Sequence, residues 1–94
     1  MNTSADVQSS VPLGGVQLGF KGRISAIQSG DVADDGLISD LESRLIELGF
    51  VEGASVEVLH EGLVGRDPIA VRVDGVTIAL RRREAMAIIV TQGT

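Results

Sequence analysis

Ile69-Ala70-Val71-Arg72-Val73-Asp74-Gly75-Val76-Thr77-Ile78-Ala79-Leu80 is the stretch whose reading decides the fold. Two alternating runs flank Asp74-Gly75, a pair suited to a type I′ turn, in which both central residues need a positive φ. A two-residue turn sets the register, so Val73 faces Val76, Val71 faces Ile78 and Ile69 faces Leu80. These large apolar side chains then share one face. Turn chemistry and apolar pattern point to the same β-hairpin, an agreement that is hard to reach by chance.

Working upstream, Val56 and Val58 point one way from a further strand while Glu57 points to solvent. His60 has the parity of the valines and is expected at the core rim. Gly62 to Pro68 reads as a loop, with Pro68 opening the next strand. Before these strands the period changes. From Asp34 to Leu48, Leu37 or Ile38, Leu41, Leu45 and Leu48 recur at three- and four-residue steps, which predicts an amphipathic helix. Asp34 and Asp35 can cap its N-terminus, Gly49 stops it in a left-handed conformation, and Phe50 folds back onto the last turn.

Lys21 to Gln28 has strand composition, but Ile24 and Ile27 are three apart and share a face only if the strand carries a bulge or bend. Residues 1–15 read as a disordered leader, and 16–94 as one domain. Downstream of the hairpin, Arg81-Arg82-Arg83-Glu84 breaks the strand, a single helical turn follows through Ala85-Met86, and Ala87 to Thr91 closes as a last strand. About five short strands and one helix, without a β-α-β rhythm, predict a mainly β (α+β) small barrel, closed or half closed.

Composition narrows the function. Ninety-four residues make one domain, and the absence of Cys removes disulfide frameworks and thiolate metal sites. The only aromatics are Phe20 and Phe50 and the net charge is −5, so the chain lacks both the stacking platform and the cationic surface that nucleic acid requires. The same charge disfavours an anionic membrane surface. Apolar runs such as Met86 to Val90 are far shorter than the ~20 residues of a membrane span, and residues 1–15 lack the pattern of a secretion signal. A soluble, cytoplasmic chain is expected, which leaves the sequon Asn2-Thr3-Ser4 without meaning.

Chemical motifs are few. Asp31 to Glu42 places acids and a glycine at several calcium-loop positions, but Ala33 stands where a ligand belongs and the acids already serve a helix N-terminus. His60 is the only histidine, so neither a transition-metal site nor a catalytic triad can be assembled. No catalytic, cofactor-binding or metal-ligating residue is therefore assigned. Gly62-Leu63-Val64-Gly65-Arg66-Asp67-Pro68 lacks the Gly-Lys-Ser/Thr ending of a phosphate loop, and two readings of it stand: a flexible connection between strands, or a recognition loop exposing Leu63, Val64 and Arg66. In the only basic cluster, strand alternation sends Arg81 and Arg83 outward.

Five blocks carry a family likeness: Arg44-Leu45-Ile46-Glu47-Leu48-Gly49-Phe50, Gly53-Ala54-Ser55-Val56-Glu57-Val58, Gly65-Arg66-Asp67-Pro68, Ala79-Leu80-Arg81 and Glu84-Ala85-Met86-Ala87-Ile88-Ile89-Val90. In this order, and with Gly22-Arg23-Ile24 ahead of them, they resemble the FeoA family over roughly Leu18 to Val90. Glu52 departs from the proline that many members place before Gly53. The resemblance implies an SH3-like small β-barrel with the helix packed across it. It also implies a cytosolic, non-catalytic accessory role without a cofactor: binding the cytoplasmic G-protein part of the transporter FeoB in ferrous-iron uptake. On that reading the docking residues are Leu48, Gly49, Phe50, Val51, Leu63, Val64, Arg66, Arg81 and Arg83, and weak homo-oligomerisation is left open. The competing expectation is a metal- or peptide-binding regulatory module, because similar SH3-like domains end iron-dependent repressors of the DtxR type. The lack of a helix-turn-helix segment favours the accessory role.

Overall fold

A computed structural model of the chain describes residues 9–28 and 37–93. The proposed capping residues Asp34 and Asp35, most of the calcium-like acidic run and the Asn2 sequon lie outside the described residues. The six strands are β1 (Ser10–Pro12), β2 (Lys21–Ile27), β3 (Ser55–Glu61), β4 (Ile69–Val73), β5 (Val76–Leu80) and β6 (Ile88–Gln92), with helices α1 (Leu37–Glu47) and α2 (Arg82–Ala85). The strands form one sheet in the order β1-β6-β2-β3-β4-β5, every pair antiparallel. The terminal strands β1 and β5 do not pair with each other, so the curled sheet is a half-closed barrel.

The hairpin takes the register its turn dictates. Val73 pairs with Val76, Val71 with Ile78 and Ile69 with Leu80. Asp74 and Gly75 have φ of 49° and 87°, as a type I′ turn requires. The bulge in β2 is also present. Ile24 pairs with Val90 and Ala26 with Ile89, leaving Ser25 as the extra residue, whose Oγ donates to the Ile89 carbonyl at 3.3 Å. The bulge lets Ile24 be buried while Ile27 still packs against the core.

α1 ends as its glycine demands. Gly49, at φ 109°, donates its N–H to the Ile46 carbonyl and Phe50 donates to the Leu45 carbonyl, both at 3.0 Å, the paired bonds of a Schellman stop. Phe50 and Leu45 are thereby driven into the core beside Val58, Val71, Ile88 and Val90. A fully buried side chain of this size contributes roughly 1.5–3 kcal/mol relative to exposure.

Three expectations need correction. The leader does not extend to Gly15: Ser10–Pro12 pairs with β6, and a 3₁₀ turn, Leu13–Gly15, carries Leu13 fully into the core. This adds a sixth strand, and the turn packs beneath α2, where a Cβ on Gly14 would collide with the Arg82 carbonyl. His60 is exposed, away from the core rim. The register slips between Val58 and His60, so Leu59 is an extra residue in β3 and everything beyond it changes face. Leu48, the last member of the helical stripe, is 41% exposed because the chain has already begun its left-handed turn.

Candidate interaction surface

The loop between β3 and β4 is narrow at its base and open at its tip. Gly62 N–H donates to the Pro68 carbonyl at 2.9 Å, and the two arms come so close that a Cβ on Gly62 would strike Asp67 backbone. Arg66 and Gly65 turn the tip with φ of 61° and 72°. Leu63 and Val64 project from it, 101% and 86% exposed, more than any other large apolar residue described.

Arg82 braces this loop. Its backbone N–H donates to Asp67 Oδ1 at 2.8 Å and its Nε to the Arg66 carbonyl at 2.8 Å. The rest of the guanidinium donates to the carbonyls of Gly14 (3.2 Å) and Val16 (2.8 Å) and to Glu61 Oε1 (3.0 Å). One side chain thus ties together the end of β3, the loop, α2 and the N-terminal turn. A cation suits this place because a guanidinium has several donors in one plane, and each carbonyl it meets lacks a ladder partner. Arg81 and Arg83 on either side are exposed, as alternation predicted. The Arg81 N–H is capped by Glu84 Oε1 at 3.0 Å, and Glu84 Oε2 meets Arg44 of α1 at 3.2 Å.

The expected docking residues separate into two groups. Leu63, Val64 and Arg66 share one end of the barrel with Arg81 and Arg83, because Leu80 pairs with Ile69 and Arg82 binds Arg66. Leu48, Gly49 and Val51 belong elsewhere. A Cβ on Gly49 would lie 3.8 Å from Val73, at the opposite end of β4, roughly 13 Å of strand away. There Val51 and Ile46 border a shallow groove of about 320 Å³ with Ala26, Ile27 and Glu52. Phe50 is fully buried, so it shapes this end of the molecule but offers no contact, a correction to its assignment as a docking residue.

What Arg82 would bind was not legible in the amino-acid order. The only available clue was parity, which placed Arg81 and Arg83 outside. Among the described residues, no three His, Cys, Asp or Glu side chains converge as a metal site would need, and no helix is long and apolar enough to cross a membrane.

A curled antiparallel sheet with one helix across it and a braced apolar loop defines a small SH3-like barrel. The chain belongs to the FeoA family: a family model described as FeoA domain matches residues 11–92, beginning within β1. Among solved structures, FeoA of Stenotrophomonas maltophilia, complexed with zinc and described as a prokaryotic SH3 domain protein, is 31% identical with a TM-score of 0.68, over 85% of this chain and 88% of that one. FeoA of Chlorobium tepidum is 28% identical with a TM-score of 0.70, over 87% of this chain and 70% of its own. A manganese-dependent transcriptional repressor, at 20% identity and a TM-score of 0.72, covers 90% of this chain with 42% of its own and shows a likeness of fold alone. No curated protein matches the chain significantly.

Proposed function

We propose that this chain is a non-catalytic accessory module of ferrous-iron uptake, acting in the cytoplasm by docking on the cytoplasmic G-protein part of FeoB. Membership of the FeoA family supports the pathway, and the structure from Stenotrophomonas maltophilia carries a suggested role as a ferrous iron transport activating factor. The observation that carries the docking surface is the Leu63-Val64 tip. Two apolar side chains stand almost wholly in solvent on a loop whose base is pinned by Arg82, so burying them on a partner gains apolar contact at little cost in loop ordering. Arg66 beside the tip and the exposed Arg81 and Arg83 at the same end of the barrel supply cations that would steer an acidic partner surface.

The test is capture of the purified cytosolic domain of FeoB by the full chain. A Leu63→Asp/Val64→Asp variant with unchanged circular dichroism and melting temperature is expected to lose capture. Undiminished capture rejects the tip, and no capture by the parent chain rejects the partner. The regulatory alternative of the DtxR type has only the shared fold on its side, since no metal-ligand cluster occurs among the described residues.

A further inference from the structure

The sheet has two edges, and they differ. β1 is three residues long and ends in Pro12, two devices that keep an edge from recruiting another strand. β5 has neither. Val76-Thr77-Ile78-Ala79-Leu80 contains no charge, no proline and no break in register, and among the described residues it pairs on one side only.

The turn tells which backbone groups are free. In a two-residue hairpin the flanking residues Val73 and Val76 exchange hydrogen bonds, and bonded pairs then recur at every second position. Val76, Ile78 and Leu80 therefore spend their backbone groups on β4, while Thr77 and Ala79 turn theirs outward. The other side of β4 agrees, because Asp74 N–H, in phase with Arg72, donates to Ser55 of β3 at 3.2 Å. Among the described residues, Thr77 and Ala79 make no other backbone bond.

We propose that the β5 edge is a self-association site at which a second copy of this chain adds its own β5 antiparallel across a two-fold axis through Ile78. In that register Thr77 faces Ala79 of the partner subunit and Ala79 faces Thr77 of the partner subunit, so the four outward groups of each copy meet their complements. Ile78 opposes itself, and Val76, 58% exposed, opposes Leu80 of the partner subunit, extending the apolar face across the seam. Charge favours the same register. Gly75 falls opposite Arg81 of the partner subunit, which sets the Asp74 carboxylate beside an exposed guanidinium, and the uncharged strand puts no like charges on the axis. The occupant is a second copy rather than a foreign strand because one register satisfies backbone, apolar face and charge together.

The chain has no cysteine, so Ile78→Cys supplies the only thiol. On the axis of a non-hydrogen-bonded pair the two Cα atoms stand about 4.5 Å apart, within disulfide reach. Under mild oxidation this variant is expected to give a severalfold excess of covalent dimer over Val64→Cys, whose thiol sits on the exposed loop tip. Thr77→Pro removes an outward donor without taking a bond from the hairpin, and it should abolish concentration-dependent sedimentation of the chain while leaving circular dichroism unchanged. Equal cross-linking of the two cysteine variants, a parent chain that sediments as a monomer at every concentration, or a folded Thr77→Pro variant that associates like the parent overturns the site. A foreign strand on this edge would give the same negative results. The experiment is independent of the FeoB reading, since Thr77→Pro leaves the Leu63-Val64 tip intact.

Discussion

The guanidinium of Arg82 lies 3.0 Å from Glu61 Oε1, joining the first residue of α2 to the last residue of β3. Both side chains are largely sheltered, 18% and 24% exposed, and the same guanidinium also reaches three backbone carbonyls. The ion pair is the smaller part of this arrangement. The carbonyls of Gly14, Val16 and Arg66 cannot find partners in the sheet, and losing their donor strands them.

Arg82→Ala is therefore expected to cost about 2–4 kcal/mol by urea denaturation, while Glu61→Gln, which keeps an acceptor, costs less than about 1 kcal/mol. Arg82→Lys should recover only part of the loss, because one ammonium cannot span the acceptors that the planar fork reaches. Equal effects of Arg82→Ala and Glu61→Gln would place the stabilisation in the ion pair instead.

The helix stop gives a second prediction. Gly49 sits at φ 109°, a conformation that strains any residue with a Cβ, so Gly49→Ala should lower stability by about 1–2 kcal/mol. Gly15→Ala is the control. It meets no atom within 4 Å and has no positive φ, and its melting temperature should match the parent.

At Gly22 the obstacle is space. A Cβ there would run into the Thr91 carbonyl and the Phe20 ring, and the carbonyl is backbone that cannot step aside. Gly22→Ala should lose several kcal/mol or fail to fold, seen as reduced strand signal in circular dichroism and early urea unfolding.

Phe50 and Leu48 separate core from surface. Phe50→Ala should cost roughly 3–5 kcal/mol, since the ring is wholly enclosed. Leu48→Arg places a charge on a side chain already 41% exposed, so the variant is expected to remain folded. With the fold intact, unchanged capture of the FeoB cytosolic domain would confine docking to the Leu63-Val64 end.

Much of the fold was legible because its signals are local. The Asp74-Gly75 turn imposes a register within a few residues, and the five pairs of β4 with β5 follow from it. The Gly49 stop and the Ser25 bulge are equally local, one written as a glycine after an apolar period and the other as two isoleucines with the wrong spacing. β1 was illegible because three residues ending in proline have no periodicity, and they form a strand only where β6 offers a partner. His60 was placed on the wrong face for a related reason. No glycine or proline marks the bulge at Leu59, which arises from fitting β3 against β4.

The candidate surface divides the same way. That the Gly62–Pro68 loop would expose Leu63 and Val64 could be read from two apolar residues set between glycines. That Leu48 and Val51 face a different end of the barrel could not, because the distance between loops depends on how the sheet curls.

By itself, then, the chain order determined which segments become hairpin, helix and turn, since those outcomes rest on dihedral preferences and on side-chain spacing a few residues apart. Only the tertiary structure decided what the inward Arg82 binds, that the N-terminal residues from Ser10 complete the sheet, and that Phe50 is core rather than contact. Each of these depends on groups remote in sequence: carbonyls left unpaired at Gly14, Val16 and Arg66, and an unpaired side of β6, which no local pattern can announce.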